Sequence, residues 1–241
     1  MATKAYFIGL GGCGLKTVSA LQQKLCPNGP NNQDKTQDTY EFTYIDTDSA
    51  TLDKINSDNI VIYNGDFVLL GDTNPFQVYR HHEGGATLDA KRFNEWIIPQ
   101  NQSKKFVLQN TTLRDGAGAE RMRGRIGLFN CYGDIESEIS KKLAKFQAYQ
   151  PGVVPEEDIW VVASSCGGTG SSITLDVLYL ISKIVAKNGQ HAPNLKLVLF
   201  MPQVFIDKNL GDLNYPLNAF SYMWEMNAFR LAHQQGLGII F

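Results

Sequence analysis

The feature that most constrains this chain is a run of nine small residues, SSCGGTGSS, at positions 164–172. It follows an apolar segment that is typical of a buried strand and precedes a long apolar pattern that is typical of a buried helix. Small and hydroxylated residues at every position leave many N–H and O–H donors at the start of that helix. We therefore predict that this loop holds the oxygens of a diphosphate or triphosphate, since few purely structural turns need nine such residues.

The remaining pattern predicts a doubly wound α/β fold with a mostly parallel sheet flanked by helices. Strands are expected at 5–10, 40–46, 59–63, 105–109, 159–164 and 195–202, and helices at 15–25, 134–146, 171–187 and 218–234. Several strands are apolar on consecutive residues, as a sheet covered on both faces requires. Positions 26–39 are interpreted as a surface loop and 65–85 as irregular. The expected domain covers residues 1–241.

Composition excludes several classes of protein. The formal net charge of −2 is spread along the chain, which argues against a sequence-independent grip on nucleic acid or on an anionic membrane. The four cysteines lack zinc-site spacing and are interpreted as small buried thiols. The first apolar run is too short for a membrane span or signal peptide, so we expect a cytoplasmic location.

Trp224 is expected to be a core residue.

A second glycine-rich stretch, GLGGCG at 9–14, directly follows the first strand. Its glycines would let the backbone approach a phosphate at the start of the next helix, with Lys16 close behind. The motif alone is weak, because it also fits a dinucleotide fingerprint or a tight turn without ligand. Asp46 and Asp48 end the second strand, at the same edge of the sheet. A ribose contact there would favour a dehydrogenase, a magnesium contact would favour a nucleoside triphosphate, and Asp48 could instead cap a helix.

A third glycine-rich stretch, RDGAGAERMRGR at 114–125, contains four arginines. Its backbone N–H groups and positive charge could serve a terminal phosphate. A solvated basic loop without ligand is the alternative.

The order of these motifs resembles that of the tubulin/FtsZ superfamily. The segment 167–172, GGTGSS, is similar to its GGTGSG signature, and GGCG at 11–14 is similar to its first phosphate loop. Asp46-Thr47-Asp48 resembles Asn-Thr-Asp of FtsZ, and GAGA at 116–119 resembles GAGN or GAGG. The segment 212–219 looks like the ribose-contacting loop and the helix that follows it. The chain resembles the divergent bacterial tubulin-like proteins more than cytoskeletal tubulin or division FtsZ.

The resemblance implies a guanine nucleotide, GTP or GDP, together with Mg²⁺. Asp46 and Asp48 would hold the metal through water, and no catalytic residue is assigned. The implied nucleotide contacts are Gly11, Gly12, Cys13, Gly14, Lys16, Asp46, Asp48, Gly116, Ala117, Gly118, Ala119, Ser165, Cys166, Gly167, Gly168, Thr169, Gly170, Ser171 and Asn218. It also implies self-association through the nucleotide face and slow hydrolysis by this chain alone, because the family's central helix and second domain are expected to lie beyond residue 241.

Besides Ser172 in place of the last glycine of the signature, the chain departs from the family pattern at two places. Leu15 and Lys16 replace polar amides of the first loop, and Tyr215 stands where an acidic ribose partner is usual. Guanine and adenine are not distinguished. Two other functions stay open, namely a non-catalytic interaction or scaffold module that keeps the tubulin-like fold, and a Rossmann protein that binds NAD.

Overall fold

A computed structural model of the chain describes residues 3–26, 39–51, 67–72, 74–82, 112–146, 156–188, 193–206 and 214–234. The strands are β1 (Thr3–Leu10), β2 (Thr39–Asp46), β3 (Phe67–Leu69), β4 (Glu156–Ser164) and β5 (Asn194–Phe200). The helices are α1 (Gly11–Leu25), α2 (Pro75–His82), α3 (Arg121–Asn130), α4 (Tyr132–Phe146), α5 (Thr169–Asn188), α6 (Gln203–Ile206) and α7 (Asn214–Gln234).

The strands form one parallel sheet in the order β3-β2-β1-β4-β5. The chain first moves outward from β1 to β3, then returns to the other side of β1 and continues through β4 to β5. The strand order therefore reverses between β1 and β4. In open α/β sheets, ligands bind outside the carboxyl ends of the strands at such a reversal.

Helices cover both faces of the sheet, which confirms the doubly wound α/β class. On one face, Leu15 and Val18 of α1 pack against Phe42 and Tyr44 of β2. On the other face, α4 and α5 enclose the larger core, whose buried residues include Tyr6, Ile8, Val161, Ile139 and Val177. The expected consecutive apolar residues of β1 and β4 thus face two separate hydrophobic clusters.

The structure differs from the sequence-based elements in short or glycine-rich segments. Region 65–85 was expected to be irregular, but it contains β3 and α2. Region 114–125 contains the start of α3, and α1 begins at Gly11 rather than at residue 15. Glycines and arginines hide these helix starts in the sequence, because they interrupt the regular spacing of apolar residues that indicates a helix. The expected strands at 59–63 and 105–109, and the loop after Cys26, lie outside the described residues.

Helix α5 is the one described helix that is long and apolar enough to cross a membrane by length and composition. Most of that segment is buried, and Ile173, Val177, Leu180 and Ile181 belong to the core between sheet and helices. Its apolar character is therefore explained by its packing.

Gly14 lies where α1 comes closest to the sheet. A Cβ at this position would approach the Val162 carbonyl oxygen to 2.3 Å, and that atom belongs to the sheet backbone. We predict that Gly14→Ala lowers the free energy of unfolding by about 1–3 kcal/mol, as overpacking does. Urea denaturation measures the change.

Gly133 provides the matched control. It is exposed in α4, and a Cβ there would meet nothing within 4 Å. Gly133→Ala should raise stability by about 0.5–1 kcal/mol, because alanine restricts the unfolded chain. Equal effects of the two substitutions would contradict the close approach at Gly14.

Candidate functional site

Four loops at the carboxyl ends of β1, β2 and β4 and before α3 surround one cavity of about 630 Å³. We call them the first loop (9–14), the second loop (46–49), the third loop (114–120) and the fourth loop (164–172). The volume lies in the range of small-molecule and cofactor sites. The cavity is lined by Leu10, Gly11, Gly12, Cys13, Lys16, Thr17, Asp46, Asp48, Thr51, Ala117, Gly118, Ala119, Ser164, Cys166, Gly167, Gly168, Thr169, Gly170, Phe200, Val204, Phe205 and Tyr215.

The first and fourth loops touch through their backbones. A Cβ on Gly11 would lie 2.8 Å from the Gly170 nitrogen, and a Cβ on Gly170 would lie 2.9 Å from the Leu10 carbonyl oxygen. Gly11 also has a φ of +67°, which disfavours other residues. The second loop joins them because the Thr47 and Thr169 hydroxyls are 2.7 Å apart. Only small side chains permit this approach.

The third loop is held against the fourth in the same way. A Cβ on Gly168 would lie 2.6 Å from the Ala117 Cβ and 2.9 Å from the Glu120 nitrogen. Asn218 of α7 donates from Nδ2 to the carbonyl oxygens of Ala119 and Cys166, each at 2.7 Å. One buried amide therefore ties both loops to α7.

Two helices begin at the cavity. Helix α1 starts at Gly11 and α5 starts at Thr169, and neither has an acidic residue in its first turn. Leu10, the N-cap residue of α1, has no side-chain group that could cap the first N–H groups. The positive ends of two helix dipoles therefore meet in one cavity, an arrangement that favours an anion.

The hydroxyls of the fourth loop do not form the array of free donors that its sequence suggested. Ser165 donates to the Phe200 carbonyl oxygen at 3.1 Å and Ser172 to the Thr169 carbonyl oxygen at 2.8 Å. Ser171 donates to the Gly167 carbonyl oxygen. Serine in a first helical turn often bonds to a backbone carbonyl three or four residues earlier. The polar capacity that this loop offers to a ligand is therefore mainly its backbone N–H groups.

Asp46 is a buried carboxylate on the cavity wall, only 2% exposed. Its Oδ1 accepts from the Thr47 N–H at 2.7 Å, and a Cβ on Gly12 would lie 3.8 Å from its Oδ2. Burial, above all, raises the pKa of Asp46 to about 6, the Thr47 and Thr169 hydrogen bonds oppose this, and Asp48 adds a smaller raising effect. A positive charge at this place would favour the ionised form.

Asp48 both lines the cavity and stabilises the turn that follows it. Its Oδ1 accepts from the Ala50 N–H at 2.9 Å, and its Oδ2 accepts from the Thr51 hydroxyl at 2.7 Å. The capping interpretation of Asp48 is therefore correct, and it coexists with a place on the wall. Among the described residues, no group of three or more His, Cys, Asp or Glu side chains is arranged to hold a metal ion.

Lysine supplies the positive charge on this wall, and arginine does not. Lys16 lines the cavity and forms no ion pair with a described residue, whereas the described lining includes no arginine. Arg121 pairs with Glu225 at 2.5 Å, Arg125 pairs with Asp176 at 3.4 Å, and Arg123 is buried and donates to the Thr112 carbonyl oxygen. The expectation that these arginines bring positive charge to a phosphate is therefore wrong, because the chain's own acceptors engage their guanidinium groups.

The solvated-loop alternative is wrong as well for Arg121, Arg123 and Arg125. They lie in α3 and are half-buried or buried, and only Arg114, which pairs with Asp72 at 2.7 Å, is exposed.

Aromatic side chains form a further part of the wall, of which the sequence motifs indicated Tyr215 but not the two phenylalanines. Phe200 ends β5, Phe205 lies in α6, and Tyr215 lies in the first turn of α7. The rings of Phe205 and Tyr215 meet edge to face at 5.6 Å. Tyr215 therefore reaches the cavity although it departs from the acidic residue of the family pattern.

Most, but not all, of the sequence-predicted contacts line the cavity. Five of them do not: Gly14, Gly116, Ser165, Ser171 and Asn218. Gly14 packs on the sheet, the Cβ position of Gly116 is 3.4 Å from the Asp48 Cβ, and the two serines bond to carbonyls. Asn218 supports the loops from behind. Leu10, Ser164 and Tyr215 also line the cavity; they lie within the quoted motifs but were not among the predicted contacts. Five further lining residues lie outside the motifs: Thr17, Thr51, Phe200, Val204 and Phe205.

Comparison with known proteins identifies the class. Residues 6–237 match the family described as "Tubulin like", so the chain belongs to this family and to the tubulin/FtsZ superfamily. The fold is similar to that of CetZ from Methanosaeta thermophila strain DSM 6194, with a TM-score of 0.53 and 17% identity. The match covers 95% of this chain and 43% of CetZ, so the chain spans less than half the length of that protein.

A second solved structure is less similar. It is the GTPγS-form protofilament of TubZ from Bacillus thuringiensis serovar israelensis, with a TM-score of 0.47 and 14% identity over 95% of this chain and 42% of TubZ. No curated protein matches the chain.

We predict that Asp46→Asn stabilises the ligand-free protein in a pH-dependent way. Because the pKa of Asp46 is raised to about 6, the folded protein holds this proton more tightly than the unfolded chain does. The stability that protonation of Asp46 adds to the folded protein is fully present below about pH 4 and is lost as the pH rises through about 6. Asp46→Asn should therefore gain at most about 3 kcal/mol over wild type at neutral pH and little at pH near 4. Urea denaturation across this pH range measures it.

Asp134→Asn is the control for that experiment. Asp134 is exposed in the first turn of α4, where the helix dipole favours a carboxylate, so its loss should slightly lower stability. A gain for Asp46→Asn that does not change with pH would contradict the raised pKa.

We predict that Asn218→Ala destabilises the protein by about 1–3 kcal/mol, since two buried carbonyl oxygens lose their donor. Asn218→Asp should cost more, because it places a carboxylate against both oxygens. Thermal and urea unfolding would show this order. Asn227→Ala, on the exposed side of the same helix, should change stability by no more than about 0.5 kcal/mol. An Asp variant as stable as wild type would refute the bridging role.

Proposed function

We propose that this chain binds a guanine nucleotide in the cavity between its four loops, with the phosphates against the first, third and fourth loops. The observation that carries the proposal is that two helix N-termini and three glycine-containing loops face one cavity at the reversal of strand order. Guanine nucleotides are the ligands that the tubulin/FtsZ resemblance implies. The lining contains the glycines at 11–12, 118, 167–168 and 170, which leave room for phosphate oxygens.

Magnesium fits this cavity for reasons of charge. The charged side chains in the part of the lining that the structure describes are Lys16, Asp46 and Asp48, so carboxylates outnumber cations there. A triphosphate beside two carboxylates needs a divalent cation, and Mg²⁺ binds through one or two carboxylates together with phosphate oxygens. We infer that Asp46 and Asp48 hold it, through water. The cation would neutralise phosphate charge, and it would lower the cost of ionising the buried Asp46.

The nucleoside would lie against the less polar part of the wall. Phe200, Val204, Phe205 and Tyr215 offer apolar and aromatic surface to a sugar or base, and Tyr215 also offers a hydroxyl. Among the described residues, this part of the wall has a tyrosine where the family has a carboxylate.

An NAD-binding Rossmann protein remains the competing function, because Asp46 at the end of β2 is also the place of a ribose-binding acid. The third and fourth loops favour a nucleoside polyphosphate, since a dinucleotide fold needs a single glycine-rich turn at the first strand. A thermal-shift comparison of GTP, GDP, ATP and NAD separates these ligands.

We predict that GTP and GDP stabilise the protein in the presence of magnesium and that NAD does not. Gly12→Ala and Gly167→Ala should each weaken nucleotide binding about tenfold or more, equivalent to about 1.4 kcal/mol. Both glycines line the cavity, and their Cβ positions meet nothing closer than 3.8 Å, so the fold should tolerate the methyl group while the ligand loses space. Calorimetric titration measures the affinities.

Gly133→Ala serves as the matched control, because it adds the same methyl group on the exposed side of α4. Gly168 is unsuitable for this test, since a Cβ there would collide with the backbone of the third loop and disturb the fold. Unchanged affinity in both cavity variants, or stabilisation by NAD alone, would reject the proposal.

We predict that a monomer of this chain hydrolyses GTP very slowly. Phosphoryl transfer needs a positioned water molecule as well as charge stabilisation. The carboxylates among the described lining residues are Asp46 and Asp48, which we assign to the metal, so none is left to orient water.

In the superfamily, acidic residues of a second subunit supply this function at the nucleotide face, and we propose self-association through that face. Phosphate release should rise more than linearly with protein concentration; rapid magnesium-dependent turnover by the monomer would contradict this.

A further inference from the structure

Helix α7 buries few apolar side chains. Of the α7 residues whose side chains the structure describes, the buried apolar ones are Ala219 and Tyr222. Leu217 is 65% exposed, and Phe220 and Trp224 are each 69% exposed, so the expectation that Trp224 is a core residue is wrong. Burial of apolar surface therefore does little to fix the position of α7, and polar contacts have the larger part in fixing it.

Two polar side chains on the buried side of α7 bind it to the elements around the cavity. Asn218 donates to carbonyl oxygens of the third and fourth loops, and the Glu225 carboxylate accepts two hydrogen bonds from Arg121, at 3.0 and 2.5 Å. Residues 218 and 225 are seven positions apart, so they lie on the same side of the helix and about 10 Å apart along its axis. Two attachments at this separation restrict the tilt of α7 as well as its distance from the loops.

Arg121 connects three parts of the cavity wall. It is the first residue of α3 and directly follows the third loop. Its Nη2 also donates to the carbonyl oxygen of Ser171 in the fourth loop, at 2.9 Å. Two N–H groups on one carboxylate give the guanidinium a defined orientation as well as a strong interaction. One side chain therefore fixes the third loop, the fourth loop and α7 relative to one another.

The neighbouring pair of Arg125 and Asp176 provides an internal comparison. Arg125 pairs with Asp176 of α5 at 3.4 Å and lies 3.7 Å from Glu225. The Arg121 side chain is 14% exposed and that of Asp176 is 7% exposed, so both pairs are shielded from water and contribute to the fold. None of the four charged side chains is among the described residues that line the cavity. Of the two carboxylates, Glu225 is the one that belongs to α7.

We propose that Arg121 and Glu225 are positioning residues of the cavity. Their ion pair sets the distance between α7 and the third and fourth loops, so the affinity for nucleotide depends on two side chains that do not touch the ligand. In its ligand this inference rests on the proposed function, whereas the arrangement of the loops can be measured without a ligand.

The negative charge of the ligand gives the proposal a distinctive sign. Glu225→Gln keeps the size of the side chain and removes a negative charge near a site for an anion, so Coulomb's law alone predicts tighter binding of GTP. The positioning role predicts weaker binding, because a neutral amide holds the guanidinium group less strongly than a carboxylate does. Arg121→Lys tests the same contact from the other side, since lysine keeps the charge but lacks the planar fork.

Calorimetric titration with GTP and Mg²⁺ compares the wild-type chain with these two variants and with the control Asp176→Asn. Glu225→Gln and Arg121→Lys should each bind at least about fivefold more weakly than wild type. Asp176→Asn removes the same charge from the same cluster and should bind at least as tightly as wild type. Circular dichroism establishes that each variant is folded at the temperature of titration, and Arg121→Lys decides if Glu225→Gln does not fold. Affinity that is undiminished in the first two variants, or an equal loss in Asp176→Asn, overturns the proposal.

Hydrogen exchange of the ligand-free chain provides a readout that does not need nucleotide. Backbone amides of the third and fourth loops should exchange faster in Glu225→Gln than in wild type, and Asp176→Asn should leave them unchanged. A wild-type chain that binds no GTP rejects the proposed function, and the exchange rates then decide the positioning role alone. Unchanged exchange of both loops in folded Glu225→Gln contradicts that role.

Discussion

The site depends on backbone-to-backbone contact between loops that follow different strands. The Cβ positions of Gly11 and Gly170 lie within 3 Å of backbone atoms of the opposite loop, and that of Gly168 lies 2.6 Å from the Ala117 Cβ. Such contact is possible only where side chains are absent or very small. It brings the first turns of α1 and α5 side by side, so two helix dipoles act on one volume. The parallel sheet puts the carboxyl ends of β1, β2 and β4 at one edge, and the small residues let the loops at that edge touch each other.

This constraint explains which parts of the architecture could be predicted from sequence. The glycine and serine runs identified the first and fourth loops because their composition has few other uses, and the apolar runs identified β1, β2 and β4. Elements of three to ten residues, such as β3 and α3, were missed because their apolar period is too short or is interrupted by Gly124 and Gly127. Gly168 shows what a motif does not reveal. The sequence predicts that Gly168 contacts the ligand, and it does line the cavity, but a side chain there would collide mainly with Ala117 and Glu120.

The partners of the arginines and serines could not be inferred from local sequence. Arg121 and Arg125 meet Asp176 and Glu225, which are separated from them by 51 or more positions along the chain and come near only when α3, α5 and α7 pack. Phe200, Phe205 and Tyr215 likewise line one cavity although they belong to β5, α6 and α7. Burial of Asp46 lowers the stability of the ligand-free protein at neutral pH. Binding sites commonly lower the stability of the scaffold that carries them.

The single amide of Asn218 has a mechanical consequence. Its two hydrogen bonds leave one nitrogen and end on two loops of the cavity wall that touch each other, so a displacement of α7 would act on both loops at once. A tilt of α7 would therefore move the two loops together rather than apart. One side chain thus links the position of an outer helix to the shape of the cavity wall.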